Sequence, residues 1–196
     1  MLLEKFLRRN IAISYRLLDK LNSGLHLSQD GLFRTELKLF LASLAPTLQG
    51  KRVLDVGSGP WNGPKEIFSS WCSITTFDIV PHEQVDVVGD LYQLSDVFSH
   101  VPPFDAVIAT EVFEHVADIP IVLQQIKHVL TPGGRIVIST PFKKNLHGED
   151  YGDYWRITRQ GWRYLLEQAG FESIAITWLG EELLPLAYFV QASRSS

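Results

Sequence analysis

A single cysteine, Cys72, leaves the 196-residue chain no internal disulfide, so packing must hold it together and a reducing compartment suits it. Basic charge is also scarce. Lys and Arg number 18 against 22 Asp and Glu, a formal net charge of −4, and tracking a nucleic-acid backbone needs clustered cations. No apolar run reaches the ~20 residues of a membrane-spanning helix, and Met1-Leu2-Leu3-Glu4-Lys5 does not read as a signal peptide. These absences argue against a disulfide scaffold, a membrane-spanning protein and a nucleic-acid binder, and make the cytoplasm the expected address.

What is present is ordinary for a globular protein, with 45% hydrophobic and 20% charged residues. Residues 1–21 read as an amphipathic helix carrying Leu3, Leu7, Ile11, Leu17, Leu18 and Leu21, stopped by Asn22-Ser23-Gly24. A second helix is expected over 32–45, with Leu32, Phe33, Leu37, Phe40, Leu41 and Leu44, ending at Pro46. Residues 1–48 thus read as a helical cap or dimerisation element on a main body at 49–196. Strand-like runs at 52–56, 74–78, 85–88, 105–110 and 135–139 alternate with helical ones, the pattern of a parallel sheet covered on both faces. After Gly170, runs at 172–178 and 186–192 have no room between them for a long helix and are expected to be antiparallel, with 191–196 frayed.

The most informative segment is Val53-Leu54-Asp55-Val56-Gly57-Ser58-Gly59, followed at the end of the next apolar run by Asp78. A strand, a glycine turn and an acid closing the next strand are the parts of a nucleoside-binding crevice in an α/β sheet. The dinucleotide version wants a third glycine at the sixth position, where Asn62 stands. A bend fitted to diphosphate is therefore disfavoured, and a nicotinamide-dependent enzyme becomes a minor alternative.

Three more motifs follow in order: Val88-Gly89-Asp90-Leu91, Phe104-Asp105-Ala106-Val107-Ile108-Ala109-Thr110-Glu111 and Leu130-Thr131-Pro132-Gly133-Gly134-Arg135-Ile136-Val137-Ile138. Together with the glycine turn they cover residues 50–175 and resemble class I S-adenosylmethionine-dependent methyltransferases. Glu111-Val112-Phe113-Glu114-His115-Val116 and Asp150-Tyr151-Gly152-Asp153-Tyr154-Trp155-Arg156-Ile157-Thr158 are similar to the type 11 small-molecule subfamily. The resemblance implies a Rossmann-like α/β fold, a mostly parallel seven-stranded sheet ending in an antiparallel hairpin. It also implies S-adenosyl-L-methionine as cofactor and a small-molecule acceptor, with O-methylation ahead of N- or C-methylation. Thr110-Glu111-Val112-Phe113 stands where amino-methylating nucleic-acid enzymes carry Asn/Asp-Pro-Pro-Tyr, which again argues against nucleic acid.

Carried over residue by residue, the resemblance puts Asp78 and Ile79 at the ribose and Asp90 and Leu91 at the adenine. Asp55, Gly57, Ser58 and Gly59 fall at the methionine end, and Thr110 at the close of the fourth strand. Trp61 stands where the family has a further glycine, which keeps open a catalytically silent relative that binds the nucleoside as a partner subunit. Glu-x-x-Glu-His also occurs in ubiquinone-biosynthesis and small-RNA methyltransferases, where it ligates a divalent metal. On a helix, Glu111, Glu114 and His115 would share one face, with His147 or Asp153 as a further ligand, a set suited to Mg²⁺, Mn²⁺ or Zn²⁺. The alternative is that glutamates at a helix start answer the macrodipole with no metal. Without metal, His115 is the candidate general base, beside Glu111 and Asp153 as catalytic candidates, or else it only anchors its helix.

The long connection 141–158 has the length of a lid. Tyr151, Tyr154 and Trp155 are candidate pocket walls, with Trp155 packing and Tyr154 and Asp153 facing the ligand, and Arg156 is available for a carboxylate or phosphate. Trp162, Tyr164, Leu165 and Leu166 read as core. His26, His82, His100 and His128 sit in no motif and read as surface or packing residues. The first helix carries Lys5, Arg8, Arg9, Arg16 and Lys20 against Glu4 and Asp19. It could lie on an anionic membrane, but closing over the cofactor or pairing a homodimer is preferred.

Overall fold

The computed structural model describes residues 29–61, 63–148 and 151–195. The chain divides into two compact units, Met1–Thr35 and Glu36–Ser196. The expected helix at 1–21, its stop at 22–24 and His26 lie outside the described residues, as do the membrane and dimer roles placed on that helix.

Seven strands form one sheet: β1 Arg52–Val56, β2 Ser73–Asp78, β3 Val87–Val88, β4 Phe104–Thr110, β5 Leu130–Pro141, β6 Phe171–Glu181 and β7 Leu184–Arg194. Their order is β3-β2-β1-β4-β5-β7-β6. The first five are parallel, and β7 runs antiparallel to both β5 and β6. The helices are α1 Gln29–Leu44, α2 Gly63–Phe68, α3 Leu94–Val97, α4 Ile119–Val129 and α5 Arg159–Gln168. None of those described is long and apolar enough to cross a membrane.

The continuous apolar strands are buried on both faces. Leu54, Val56, Val107, Ala109, Ile136 and Ile138 join one core with Val122, Leu123 and Ile126 of α4 and Trp162 and Leu166 of α5. The alternating residues Val53, Ala106, Ile108 and Val137 are equally buried and point the other way. Phe40 of α1 stacks on Phe189 of β7 with ring centres 4.9 Å apart. Asp118 caps α4 by accepting from Ile121 N at 3.3 Å, and Thr158 caps α5 by accepting from Gly161 N at 3.1 Å.

Several expectations need correction. The third strand shrinks to Val87–Val88, because Asp86 spends its carboxylate on Thr76 N and Oγ1, 2.9 Å from each, where a ladder bond would otherwise form. The fifth starts at Leu130, and the presumed turn Thr131-Pro132-Gly133-Gly134 is an irregularity within it, between the pairs Phe104–Leu130 and Ala106–Arg135. The C-terminal segment is tied down: Arg194 donates to the carbonyls of Lys127 and Leu130, and Ser195 Oγ to Gly170 O at 3.1 Å. Tyr164 is 63% exposed while Trp162 and Leu166 are fully buried.

The segment after β4 is also not the expected helix. Glu111 N extends the ladder to Ser139 O at 3.0 Å, but Glu111 then adopts a left-handed φ of 56°. A single 3₁₀ turn follows at Phe113–His115, so Glu111, Glu114 and His115 share no helical face.

Candidate active site

Strand order reverses between β1 and β4, and open α/β sheets bind ligands beyond the carboxyl ends of such strands. A cavity of about 380 Å³ lies there, walled by Gly57, Gly59, Asp78, Ile79, Asp90, Leu91, Glu111, His115 and Tyr151 among others. At Gly57 φ is 66°, and an added Cβ would come within 2.4 Å of Val112 Cγ2, so only glycine fits the turn. Asp78 Oδ2 accepts from Gly59 N and Oδ1 from Val80 N, both at 2.8 Å, which fixes the carboxylate at the wall. Asp90 lines the cavity while its Oδ1 caps the turn Leu91–Gln93, accepting from Tyr92 N at 2.9 Å.

Behind the glycine turn lie buried polar groups that lack a partner. Both carboxylate oxygens of Asp55 and the Ser58 hydroxyl have no hydrogen bond among the described residues. Burial, reinforced by the charge of Asp78, raises the Asp55 pKa well above the usual carboxylate range. Native proteins seldom leave such atoms unpaired, and an ammonium group with a free carboxyl end would satisfy both. Together with the Asp78 carboxylate at the cavity wall, this donor set fits S-adenosyl-L-methionine. The Trp61 indole is not among the lining residues and lies against Gly63, where an added Cβ would meet it at 2.5 Å.

At the other end stands a cluster of acids and imidazoles. Glu114 is 1% exposed, and neither of its carboxylate oxygens has a hydrogen-bond partner among the described residues. Its Oε1 lies 3.7 Å from His115 Nε2 and 4.0 Å from His147 Nε2. One donor atom from each of Glu114, His115 and His147 falls within 4.8 Å of the others. Burial and then the charge of Glu111 push Glu114 well up, and burial lowers His115 while the Gly152 carbonyl partly restores it. Glu111 stands apart from the three, accepting from Ser139 Oγ at 3.3 Å and pairing with Lys144 Nζ at 3.5 Å. Burial raises its pKa too, opposed mainly by Lys144.

Of the expected site residues, Gly57, Gly59, Asp78, Ile79, Asp90, Leu91, Glu111 and His115 line the cavity. Asp55, Ser58, Thr110 and Glu114 are buried and not among the lining residues, nor are His147 and Asp153, which contact one another and, through His147, Glu114. Arg156 is engaged by Asp153, its Nη1 and Nη2 donating to Oδ1 and Oδ2 at 2.5 and 2.8 Å. That pairing drives the Asp153 pKa far below the usual range. Trp155 packs through Nε1 onto Val116 O at 2.8 Å, and Tyr154 is 54% exposed. His82, read as a surface or packing residue, is in the cavity wall, and so are Val80 and Tyr92, which carried no sequence signal.

A family described as "Methyltransferase domain" matches residues 30–176. A ubiquinone biosynthesis O-methyltransferase of Xylella fastidiosa is 31% identical over 106 residues, covering 48% of this chain and 43% of the relative. The O-methyltransferase cnsE of Penicillium expansum is 27% identical over 160 residues, 70% of this chain and 58% of that one. The chain thus spans less than half the length of the first relative and little more than half of the second. The crystal structure of a SAM-dependent methyltransferase from Archaeoglobus fulgidus superposes with a TM-score of 0.64 at 17% identity, covering 82% of this chain and 94% of the other, and shares the fold. With three quarters of its length matched by that family, the chain belongs to the methyltransferase domains.

Proposed function

We propose that the chain is an S-adenosylmethionine-dependent methyltransferase that methylates a hydroxyl group of a small molecule. The observation that carries this is the cavity wall itself, which holds Asp78, Asp90 and His115 beside the unpartnered Asp55 and Ser58. When bound, the cofactor supplies a methyl group on a positively charged sulfur. Asp78 holds the ribose hydroxyls, Asp90 and Leu91 border the adenine, and Asp55 and Ser58 meet the amino-acid end. His115 is the base: Nδ1 faces the Gly152 carbonyl at 2.5 Å, a group that only accepts, so Nδ1 keeps its proton and Nε2, 3.7 Å from Glu114 Oε1, holds the lone pair that would take a proton from a hydroxyl. The names of the two relatives, both O-methyltransferases, support the same acceptor chemistry.

A second reading, favoured by the buried and unpartnered Glu114, gives Glu114, His115 and His147 a divalent metal. Two imidazoles and a carboxylate suit Mn²⁺ or Zn²⁺ better than Mg²⁺, and such an ion would make an acceptor hydroxyl more acidic. Glu111, engaged by Lys144 and Ser139, is outside this set.

Calorimetry with S-adenosylhomocysteine, on wild type and Asp78→Ala, tests the site. Micromolar binding that survives the substitution would refute the ribose assignment. Formation of S-adenosylhomocysteine with a panel of hydroxylated metabolites tests turnover, and binding without turnover on any of them would favour the silent partner subunit. Full activity in EDTA would end the metal reading.

A further inference from the structure

Both imidazoles beside Glu114 have their second nitrogen engaged. For His115 the partner is the Gly152 carbonyl. For His147, Nδ1 hydrogen-bonds the Asn145 carbonyl at 3.2 Å, with Asp153 Oδ2 3.3 Å away at ion-pair distance. Carboxylate and carbonyl oxygens only accept, so Nδ1 is the protonated nitrogen and Nε2 carries the lone pair toward Glu114.

Asp153 is itself immobilised. Its side chain is 5% exposed. Oδ2 also accepts from His147 N at 3.0 Å, and Arg156 spans both oxygens with its two terminal nitrogens. Arg156 donates further to the carbonyls of Trp155 at 2.9 Å and of Lys144 and Asn145 at 3.4 Å each. The loop backbone therefore holds the guanidinium, the guanidinium holds the carboxylate, and the carboxylate meets the imidazole. Asp153 is not among the residues lining the cavity.

We propose that Asp153 is a positioning residue for His147: braced by Arg156 and bonded to the His147 N–H, it places its charge beside Nδ1, reinforces the Nδ1–H tautomer that donates to the Asn145 carbonyl, and keeps Nε2 turned toward Glu114 and His115. Its consequence for ligand binding rests on the metal reading above, whereas the tautomer is a property of the metal-free chain and is tested separately. Partners that orient a metal-ligating imidazole are commonly worth 10–100-fold in metal affinity.

Two-bond ¹H–¹⁵N spectra of the metal-free protein, above the pH at which its histidines titrate, report each tautomer, with His147 assigned by loss of its signals in His147→Asn. The expected result is Nδ1–H at His147 in wild type, a shift toward Nε2–H in Asp153→Ala, and retention of Nδ1–H in Asp153→Asn, whose amide oxygen still accepts. His115, held by Gly152, keeps its tautomer in both variants and reports that the loop is intact. An Nε2–H His147 in wild type, or an unchanged one in Asp153→Ala, would overturn the proposal. Zn²⁺ titration against a chelator supplies the second arm: affinity should fall about 10–100-fold in Asp153→Ala and largely recover in Asp153→Asn. If wild type takes up no Zn²⁺, the metal reading falls and the spectra alone decide the role of Asp153.

Discussion

The proposed ribose end of the cavity rests on one carboxylate in a defined setting. Asp78 accepts two backbone N–H groups through different oxygens, so it arrives at the wall already oriented. Asp78→Asn keeps the shape but loses the charge. Since hydrogen bonds to charged groups contribute about 1.5–3 kcal/mol, S-adenosylhomocysteine should bind roughly 10–100-fold more weakly by calorimetry, and an unchanged affinity would remove Asp78 from the site. Gly57 makes a steric case: its Cβ would strike the Val112 side chain. Gly57→Ala should weaken the same ligand, and adding Val112→Ala should restore part of the loss, leaving the positive φ as the remainder. If the double variant binds no better than the single, the Val112 contact is not what requires glycine. These residues were legible in the sequence because a strand, a turn and an acid at the next strand end are chain-local patterns. Lys144 beside Glu111 and His82 in the cavity wall were not, because only the folded loops bring them there.

At the level of elements, the strands were easier to read than what joins them. Parallel strands buried on both faces announce themselves as apolar runs, and the short gap between 172–178 and 186–192 pointed to the antiparallel close, while the seven-stranded sheet was what the family resemblance implied. The stretch Glu111–His115 was misread as a helix because its charged positions fit one. A ladder bond from Glu111 to Ser139 and the left-handed φ that follows set its direction, and neither is written in residue type. What holds this turn is α5. Trp162, fully buried, packs edge-on against Phe113 with ring centres 5.2 Å apart and donates from Nε1 to Thr140 Oγ1 at 3.0 Å. Trp162→Phe keeps most of the apolar contact but strands the Thr140 hydroxyl and leaves a gap. Urea denaturation should show a loss of about 1–3 kcal/mol, and Trp162→Ala about 3–5 kcal/mol. A loss under 0.5 kcal/mol for both would mean that α5 does not anchor the turn.

For the whole molecule, an ionisable group buried behind the glycine turn, where the amino-acid end of the cofactor is proposed to bind, makes folding, pH and ligand binding interdependent. The native pKa of Asp55 lies above its unfolded value of about 3.9. Below that value both states carry the proton. As pH rises past it the unfolded chain releases its proton while the native chain keeps it, so the native state binds more protons and stability falls with pH until the native pKa is passed. Glu111 and Glu114 act with the same sign, whereas Asp86 and Asp153, held low by their partners, give stability that is lost only in acid. His115, lowered by burial, opposes the trend as pH rises through the ordinary histidine range near 6.5. Comparing wild type with Asp55→Asn cancels those shared contributions. In urea titrations of the ligand-free protein from pH 5 to 8, the variant should gain steadily on wild type as pH increases. Saturating S-adenosylhomocysteine, whose ammonium group favours the ionised carboxylate, should remove that gain by stabilising wild type more than the variant. Parallel curves without ligand would show that Asp55 ionises normally inside the fold, and an advantage unchanged by ligand would show that the amino-acid end binds elsewhere.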